Sequence, residues 1–242
     1  MANTLQTLAT ALPEVVLRDE ALNPLAVQAK LDAGIPALEG EPLLRPDELV
    51  AGIHALKRAL AGTSPTVDGM DTRLVEENAG ELAAMAQAGT WDVIPQPLQT
   101  LADFAARPYL RAGARLLREI LERREWSRGT CPACGAAPLL AELRSDGSGA
   151  QGERVLRCAR CLTGWSFPRL RCTGCGETDH RRLSYLHGAG EEAYRRAEVC
   201  SSCRTYLKAI AVLAPLSLSG MLKADLDTAA LDLGAMELGF HK

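Results

Sequence analysis

The sequence has few aromatic residues and no long uninterrupted apolar run. Aromatic side chains make up 4% of the 242 residues, whereas alanine and leucine are plentiful, and this favours packed helices over a large β-sandwich. The charge-free stretch Ala209–Leu222 holds 14 residues and contains Pro215 and Gly220, so it is too short to span a bilayer. Met1–Pro13 has no basic residue, which argues against a secretory or twin-arginine signal there. We therefore expect a cytoplasmic protein without membrane insertion.

Common motifs of nucleotide-binding and hydrolytic enzymes are also missing. The sequence has no Gly-x-x-x-x-Gly-Lys-Ser/Thr loop, no dinucleotide-binding fingerprint, no Gly-x-Ser-x-Gly elbow and no His-Glu-x-x-His pair. Nothing in it assembles a catalytic site that is independent of the cysteines. We therefore expect no catalytic residues and no enzymatic activity.

Charge is unevenly distributed along the chain. Residues 123–208 carry a net charge of +6, whereas the rest of the chain carries −9. A split of this size can orient a partner, but with a pI of 5.9 and no Lys/Arg stripe it does not indicate a nucleic-acid-binding protein. We expect a solvated face, or alternatively a docking surface for an acidic partner, at the arginines Arg157, Arg160, Arg169 and Arg171.

All eight cysteines occur in Cys-x-x-Cys pairs, which are Cys131/Cys134, Cys158/Cys161, Cys172/Cys175 and Cys200/Cys203. In a cytosolic chain this pattern indicates metal ligation rather than disulfide bonds. A Cys-x-x-Cys turn places two sulfurs on one side of a tight loop, and two such turns complete a tetrahedral site. Four thiolates suit both iron and zinc, so we expect two ions of Fe or Zn.

The spacing of the pairs predicts how they combine. The gaps between successive pairs are 23, 10 and 24 residues, which indicates one ribbon used twice, each time as knuckle, β-hairpin and knuckle. One ion would then be bound by Cys131, Cys134, Cys158 and Cys161, and the other by Cys172, Cys175, Cys200 and Cys203. Gly135 and Gly176 support the repeat, because each follows a first knuckle and admits the positive φ that turns backbone N–H groups toward sulfur. Crossed pairing, as in interleaved ring-type folds, is the alternative.

The part of the chain before the cysteines predicts helices. One helix should begin at Pro46 and bury Leu49, Ile53, Leu56 and Leu60 on one face, with Gly62 as its stop. A second should run over about 71–88, with Leu74, Leu82 and Met85 inward. A third should begin near Gln96 and either kink or restart at Pro108. Residues 34–44 cannot form regular helix, because glycine and proline interrupt them.

The overall expectation is a mainly α fold with a small β part. It comprises a helical domain at 1–125, a first rubredoxin-like or zinc-ribbon unit at 126–168, a second at 169–208, and a C-terminal helical tail at 209–242 that packs on the body. Short β-like runs occur at Arg154–Arg157 and Tyr194–Val199. The tail helix is expected at about 224–240, with one face formed by Leu226, Ala230, Leu233 and Met236.

Several segments together resemble the formate dehydrogenase accessory proteins called FdhE. The resemblance keeps the order of the family and spans most of the chain. In the cysteine region it rests on Trp126–Gly135, Leu156–Cys161, Trp165–Arg169, Cys172–Gly176, Tyr194–Cys203 and Tyr206–Lys208. Elsewhere it rests on Leu38–Glu41, Arg107–Leu110 and the tail from Asp225 to Asp232.

The resemblance implies a cytoplasmic protein that is needed to obtain active formate dehydrogenase. It implies binding to the catalytic subunit, which carries a molybdenum or tungsten cofactor and iron–sulfur clusters. It also implies rubredoxin-like iron, with zinc as the other occupant, at all eight cysteines. The alternatives are a rubredoxin-like or dithiol redox protein and a nucleic-acid-binding zinc ribbon. Whether the chain forms a homo-oligomer is left open by the sequence.

Overall fold

A computed structural model describes residues 11–12, 14–18, 21–63, 65–91, 94–144, 152–190 and 194–242. It divides into two compact units. The first comprises the chain up to Leu121 together with Ala133–Gly135, and the second comprises Glu122–Pro132 and Ala136–Lys242. The expected division at 1–125, 126–168, 169–208 and 209–242 stays a prediction. No helix among the described residues combines the length and the apolar character that crossing a membrane requires.

Helices make up the regular structure before the cysteines. They are α1 Pro24–Asp32, α2 Pro46–Ala59, α3 Pro65–Asp68, α4 Arg73–Glu77, α5 Ala79–Ala88, α6 Gln96–Leu116 and α7 Arg118–Glu122. The predicted start of α2 is confirmed, with acids in the first turn that suit the positive end of the helix dipole. Its Glu48 carboxylate accepts from the Arg45 N–H at 3.0 Å, which satisfies a backbone donor at the helix start.

The prediction of a single helix over 71–88 is wrong, because α4 ends and α5 begins at Asn78. The Asn78 side-chain amide donates to the Leu74 carbonyl at 3.0 Å, and such local bonds compete with the helical ladder. Leu74 is therefore 53% exposed, and Val75 is buried in its place. Leu82, on α5, is buried as predicted.

α6 passes through Pro108 without a restart. It packs with α2 and α5, and the three helices share the main apolar core of the first unit. The buried core residues of these helices are Leu49, Ile53, Leu56, Leu82, Ala83, Ala86, Leu98, Leu101, Ala102, Ala105 and Ala106. Residues 34–44 are not helical, as predicted. The Gln87 side chain fixes part of this segment, since its Oε1 accepts from the Leu43 N–H at 2.9 Å.

A six-stranded mixed sheet follows, with strands β1 Leu140–Arg144, β2 Glu153–Arg157, β3 Gly164–Ser166, β4 Leu183–Leu186, β5 Arg195–Cys200 and β6 Tyr206–Val212. The strand order is β3-β2-β1-β6-β5-β4. All neighbours are antiparallel except β1 and β6, which are parallel. The sheet thus contains two antiparallel three-stranded meanders, β1–β2–β3 and β4–β5–β6. The predicted hairpins between the knuckles are confirmed as β1–β2 and β4–β5.

The C-terminal part forms α8 Leu218–Asp227 and α9 Ala229–Glu237, so the expectation of one helix over 224–240 is wrong. The break falls at Thr228, whose hydroxyl donates to the Ala224 carbonyl at 2.7 Å. The expected apolar face is exposed at Leu226, Ala230, Leu233 and Met236. Met221 and Ala235 are buried instead.

A buried lysine attaches these helices to the sheet. Lys208, on β6, is fully buried. Its Nζ lies 2.6 Å from both Asp225 Oδ1 and Asp232 Oδ2. The Tyr206 hydroxyl donates to the other oxygen of Asp232 at 2.8 Å. Because a buried charge is tolerated only when it is paired, this cluster fixes where α8 and α9 pack.

The expectation of a solvated arginine face is wrong for Arg157 and Arg160, which are both buried. Arg157 Nη1 lies 2.5 Å from Oε1 of Glu142, a carboxylate on the adjacent strand that is itself fully buried. Arg144 contacts the other oxygen of Glu142 at 2.6 Å. The ion pair between β1 and β2 therefore uses Arg157, which the sequence pattern assigns to a solvated face.

Candidate metal centres

The eight cysteine sulfurs gather into two groups of four. One group is Cys131, Cys134, Cys158 and Cys161, and the other is Cys172, Cys175, Cys200 and Cys203. Within each group all Sγ atoms lie within 4.8 Å of one another. This is the sequential grouping that the spacing predicts, and the crossed grouping is not found.

The sulfur separations suit a tetrahedral ion. The distances are 3.4 Å between Cys131 and Cys161, 3.5 Å between Cys172 and Cys203, and 3.8 Å between Cys175 and Cys200. A tetrahedron with metal–sulfur bonds of about 2.3 Å has edges of about 3.8 Å. Each group could therefore hold one ion with only small adjustments of its side chains.

All four knuckles are closed by the same backbone hydrogen bond. The N–H of the first cysteine of each pair donates to the carbonyl five residues later. The donor–acceptor pairs are Cys131 to Ala136 at 2.8 Å, Cys158 to Thr163 at 3.0 Å, Cys172 to Glu177 at 2.9 Å, and Cys200 to Thr205 at 3.0 Å. This repeated bond shows that the four knuckles are copies of one local structure.

The residue directly after the second cysteine has a positive φ in every knuckle. Gly135 and Gly176 have φ values of +77° and +78°, and Leu162 and Arg204 have values of +68° and +62°. Sequence reasoning found the two glycines and missed the other two. A leucine or an arginine gives no signal of this conformation, because both residues normally avoid it.

A threonine hydroxyl contacts one sulfur in each site. Cys161 Sγ lies 3.1 Å from Thr163 Oγ1, and Cys203 Sγ lies 3.0 Å from Thr205 Oγ1. Sequence reasoning missed both threonines. The sequence pattern that could have identified them is Cys-x-Thr. It begins at the second cysteine of the second knuckle in each site and is missing from both first knuckles.

Electrostatics distinguish the thiols of the second site. Burial raises the pKa of Cys203, but hydrogen bonds from Thr205 and neighbouring thiols lower it more, to about 6. The Glu177 amide lowers the pKa of Cys175, but partial desolvation and hydrogen bonds with the other three thiols raise it, to about 12. A metal ion bound at this site would therefore displace protons from the thiols whose pKa is raised, which include Cys175 and Cys200.

Aromatic side chains pack around the knuckles. Trp165, Phe167 and Tyr206 are buried. The Trp165 indole N–H donates to the Arg128 carbonyl at 3.2 Å, and the half-buried Trp126 donates to the Thr130 carbonyl at 2.7 Å. These bonds satisfy the polar edges of both indoles next to the first knuckle.

Comparison with known proteins gives the family. Residues 130–169 match a model of the FdhE central domain, and residues 170–242 match a model of the FdhE C-terminal domain. A protein FdhE homolog from Stutzerimonas stutzeri (strain A1501) is 30% identical over 239 residues, which cover 92% of this chain and 68% of the homolog. The chain belongs to the FdhE family. An FdhE homolog from Pseudomonas aeruginosa is also 30% identical, over 90% of this chain and 72% of the homolog.

The fold also matches a solved structure of this family. The crystal structure of the FdhE protein from Pseudomonas aeruginosa aligns with 98% of this chain and 81% of its own, with a TM-score of 0.62 and 24% identity. This likeness concerns the fold alone. The two FdhE domain models together cover 130–242, a range that contains every cysteine of the chain.

Proposed function

We propose that each group of four cysteines binds one metal ion, either iron or zinc. The observation that carries the proposal is the gathering of all eight sulfurs, from four separate turns, into two groups within 4.8 Å. The proposed ligands are Cys131, Cys134, Cys158 and Cys161 at the first site and Cys172, Cys175, Cys200 and Cys203 at the second. Thr163 and Thr205 would each donate a hydrogen bond to a bound thiolate.

The donor set favours a structural or electron-transfer role over hydrolysis. Four thiolates fill a tetrahedral ion and leave no open position for water or substrate. A small ribbon buries little apolar surface by itself, so an ion that joins two knuckles supplies folding free energy. We therefore propose a role without catalysis by these ions.

The biological role that we propose is that of an accessory protein for formate dehydrogenase. Membership of the FdhE family supports this role, and the resemblance of the cysteine segments to the family points the same way. The chain would bind the catalytic subunit in the cytoplasm during maturation. The metal-bound ribbons would give the contacting surface a fixed shape.

Metal content is tested first, on the full chain purified anaerobically without added metal. Two ions per chain with thiolate-to-iron charge-transfer bands support two iron sites. Two zinc ions without visible colour support the same ligands with a purely structural ion. Near-zero metal in a folded protein with disulfides contradicts the proposed sites.

The accessory role is tested in cells whose own FdhE-family gene is deleted. Wild-type chain should restore formate-dependent dye reduction and co-purify with the catalytic subunit. Cys158→Ser should do neither, because the first ribbon loses a ligand, whereas the control Ser127→Ala changes an exposed side chain outside the knuckles. A folded, metal-loaded wild-type chain that neither restores activity nor binds the subunit contradicts the role.

A further inference from the structure

The two cysteine sites come from the same repeat but differ in their access to solvent. At the first site Cys131 and Cys158 are 0% exposed, Cys161 is 3% and Cys134 is 9%. At the second site Cys172 and Cys200 are buried, Cys203 is half-buried and Cys175 is exposed. Cys134 and Cys175 are equivalent in the repeat, so the same ligand position is covered in one site and open in the other.

The residues between the cysteines show the same difference. In the first site Pro132, Ala133 and Arg160 are buried. Their counterparts in the second site are half-buried at Thr173 and exposed at Gly174 and Ser202. The sequences agree with this, since Cys-Pro-Ala-Cys and Cys-Ala-Arg-Cys carry larger or more apolar side chains than Cys-Thr-Gly-Cys and Cys-Ser-Ser-Cys.

Gly174 explains part of the opening at the second site. A Cβ atom at this position would lie 2.8 Å from Thr205 Oγ1 and 3.4 Å from Cys203 Sγ. The contact leaves no room for a side chain at residue 174. That edge of the site is therefore covered only by the backbone of Gly174, which is exposed to solvent. The equivalent residue of the first site is Ala133, which is fully buried.

We propose that the second site readily gives up its metal ion to small thiolate ligands from solution, and that the first site does not. This inference rests on the proposed metal binding at both sites. An entering thiolate would donate an electron pair to the ion while the bond between the ion and Cys175 Sγ breaks. Cys175 keeps that bonding pair, leaves as a thiolate and takes a proton from water, which becomes hydroxide. Further thiolates would replace Cys172, Cys200 and Cys203 in the same way before the ion leaves. No electron is transferred, so no oxidant is required.

Exchange at the first site requires local opening before a ligand can enter. Its four cysteines and three of its four intervening residues are buried, and groups that are reached only by opening react at rates reduced by the opening equilibrium. We therefore expect release from the first site to be slower by at least about tenfold, which corresponds to an opening free energy of about 1.4 kcal/mol or more.

The test uses the full chain loaded with zinc under anaerobic conditions, with two ions confirmed before the experiment begins. A small dithiol chelator is added, released zinc is followed with time, and free cysteines are alkylated and located by mass spectrometry. One equivalent should leave quickly while Cys172, Cys175, Cys200 and Cys203 become alkylated. Release of both ions at one rate, or earlier alkylation of the first group, overturns the inference.

A matched pair of variants assigns the two phases independently. Cys175→Ser should leave only the slow phase, because the second site loses its open ligand, and Cys134→Ser should leave only the fast phase. The opposite assignment overturns the inference. If Cys134→Ser does not fold, the alkylation pattern of the wild type decides. Failure to load two ions at the start contradicts the proposed metal sites, whereas loading followed by equal release contradicts only the exchange.

Discussion

Thr205 Oγ1 lies 3.0 Å from Cys203 Sγ, two residues along the chain from the cysteine it contacts. A cysteine that binds a metal ion is a thiolate with no proton to give, so with the proposed ion bound the hydroxyl would be the donor in this pair. The same relationship joins Thr163 to Cys161 in the first site. With the proposed ions bound, the threonines would therefore stabilise the charged form of one cysteine in each site, and a residue of positive φ lies between the two members of each pair.

Thr205→Val should weaken metal binding at the second site by about tenfold or more, since it removes a hydrogen bond to a ligand and keeps a similar shape. Thr163→Val should have the same effect at the first site only. Thr205→Ser is the control, because it retains the hydroxyl. Competition titration with a chelator measures the affinities, and equal affinities for Thr205→Val and wild type would contradict the role of the hydroxyl.

Gly176→Ala should lower the free energy of unfolding of the metal-loaded chain by about 1–2 kcal/mol. Its φ is +78°, and an added Cβ would meet only the Arg171 side chain at 3.7 Å, so the cost is conformational rather than steric. Gly234→Ala, inside α9 with open space around it, should be neutral or stabilising. Chemical denaturation of both variants compares them, and equal stabilities would show that the left-handed conformation is not needed.

Gly129→Ala should disturb both ribbons. An added Cβ would clash with the Thr173 carbonyl oxygen, and Thr173 belongs to a knuckle of the second site. The loop before the first knuckle must therefore move, and we expect a loss of about 2 kcal/mol or more of stability together with weaker metal binding at the second site. Measuring metal content and stability of this variant beside Gly234→Ala checks the prediction, which fails if the two variants behave alike.

Lys208→Met should destabilise the packing of α8 and α9 by about 3 kcal/mol, because two partly buried carboxylates lose their buried cation and keep only the more exposed Lys242. Lys223→Met is the matched control. Lys223 pairs with Asp227 on the same helix but its side chain is 75% exposed, so its loss should cost less than about 1 kcal/mol. Thermal unfolding of both variants measures the difference, and similar costs would show that burial of Lys208 does not matter.

Low pH should weaken the packing of α8 and α9 on the sheet. Burial raises the pKa of Asp232, but hydrogen bonds from Lys208, Tyr206 and Lys242 lower it more, to below its ordinary value of 3.8. A carboxyl group with a depressed pKa contributes stability above its unfolded pKa and loses it as the pH falls through the folded value. The protection of α9 amides against hydrogen exchange, relative to the intrinsic exchange rate at the same pH, should therefore fall below about pH 4 in the wild type. The loss of protection should be smaller in Asp232→Asn, and an identical profile in both proteins would contradict the assignment.

Local sequence was sufficient for the features that depend on near neighbours. The Cys-x-x-Cys pairs and their gaps of 23 and 24 residues predicted the two groups of sulfurs and the hairpins between them. Pro46 and the acids behind it predicted the start of α2, because the groups that satisfy a helix start lie within one turn. The positive φ at Gly135 and Gly176 was also readable, since glycine is the residue that adopts it without strain.

Only the tertiary structure decided features that depend on distant partners. The parallel pairing of β1 with β6 joins two ribbons whose strands lie more than sixty residues apart, and no local pattern specifies such a pairing. Arg157 and Lys208 are buried because Glu142, Asp225 and Asp232 neutralise them in space. Leu162 and Arg204 adopt a positive φ where backbone hydrogen bonds from Cys158 to Thr163 and from Cys200 to Thr205 close the two second knuckles, and that constraint outweighs the preference of either residue.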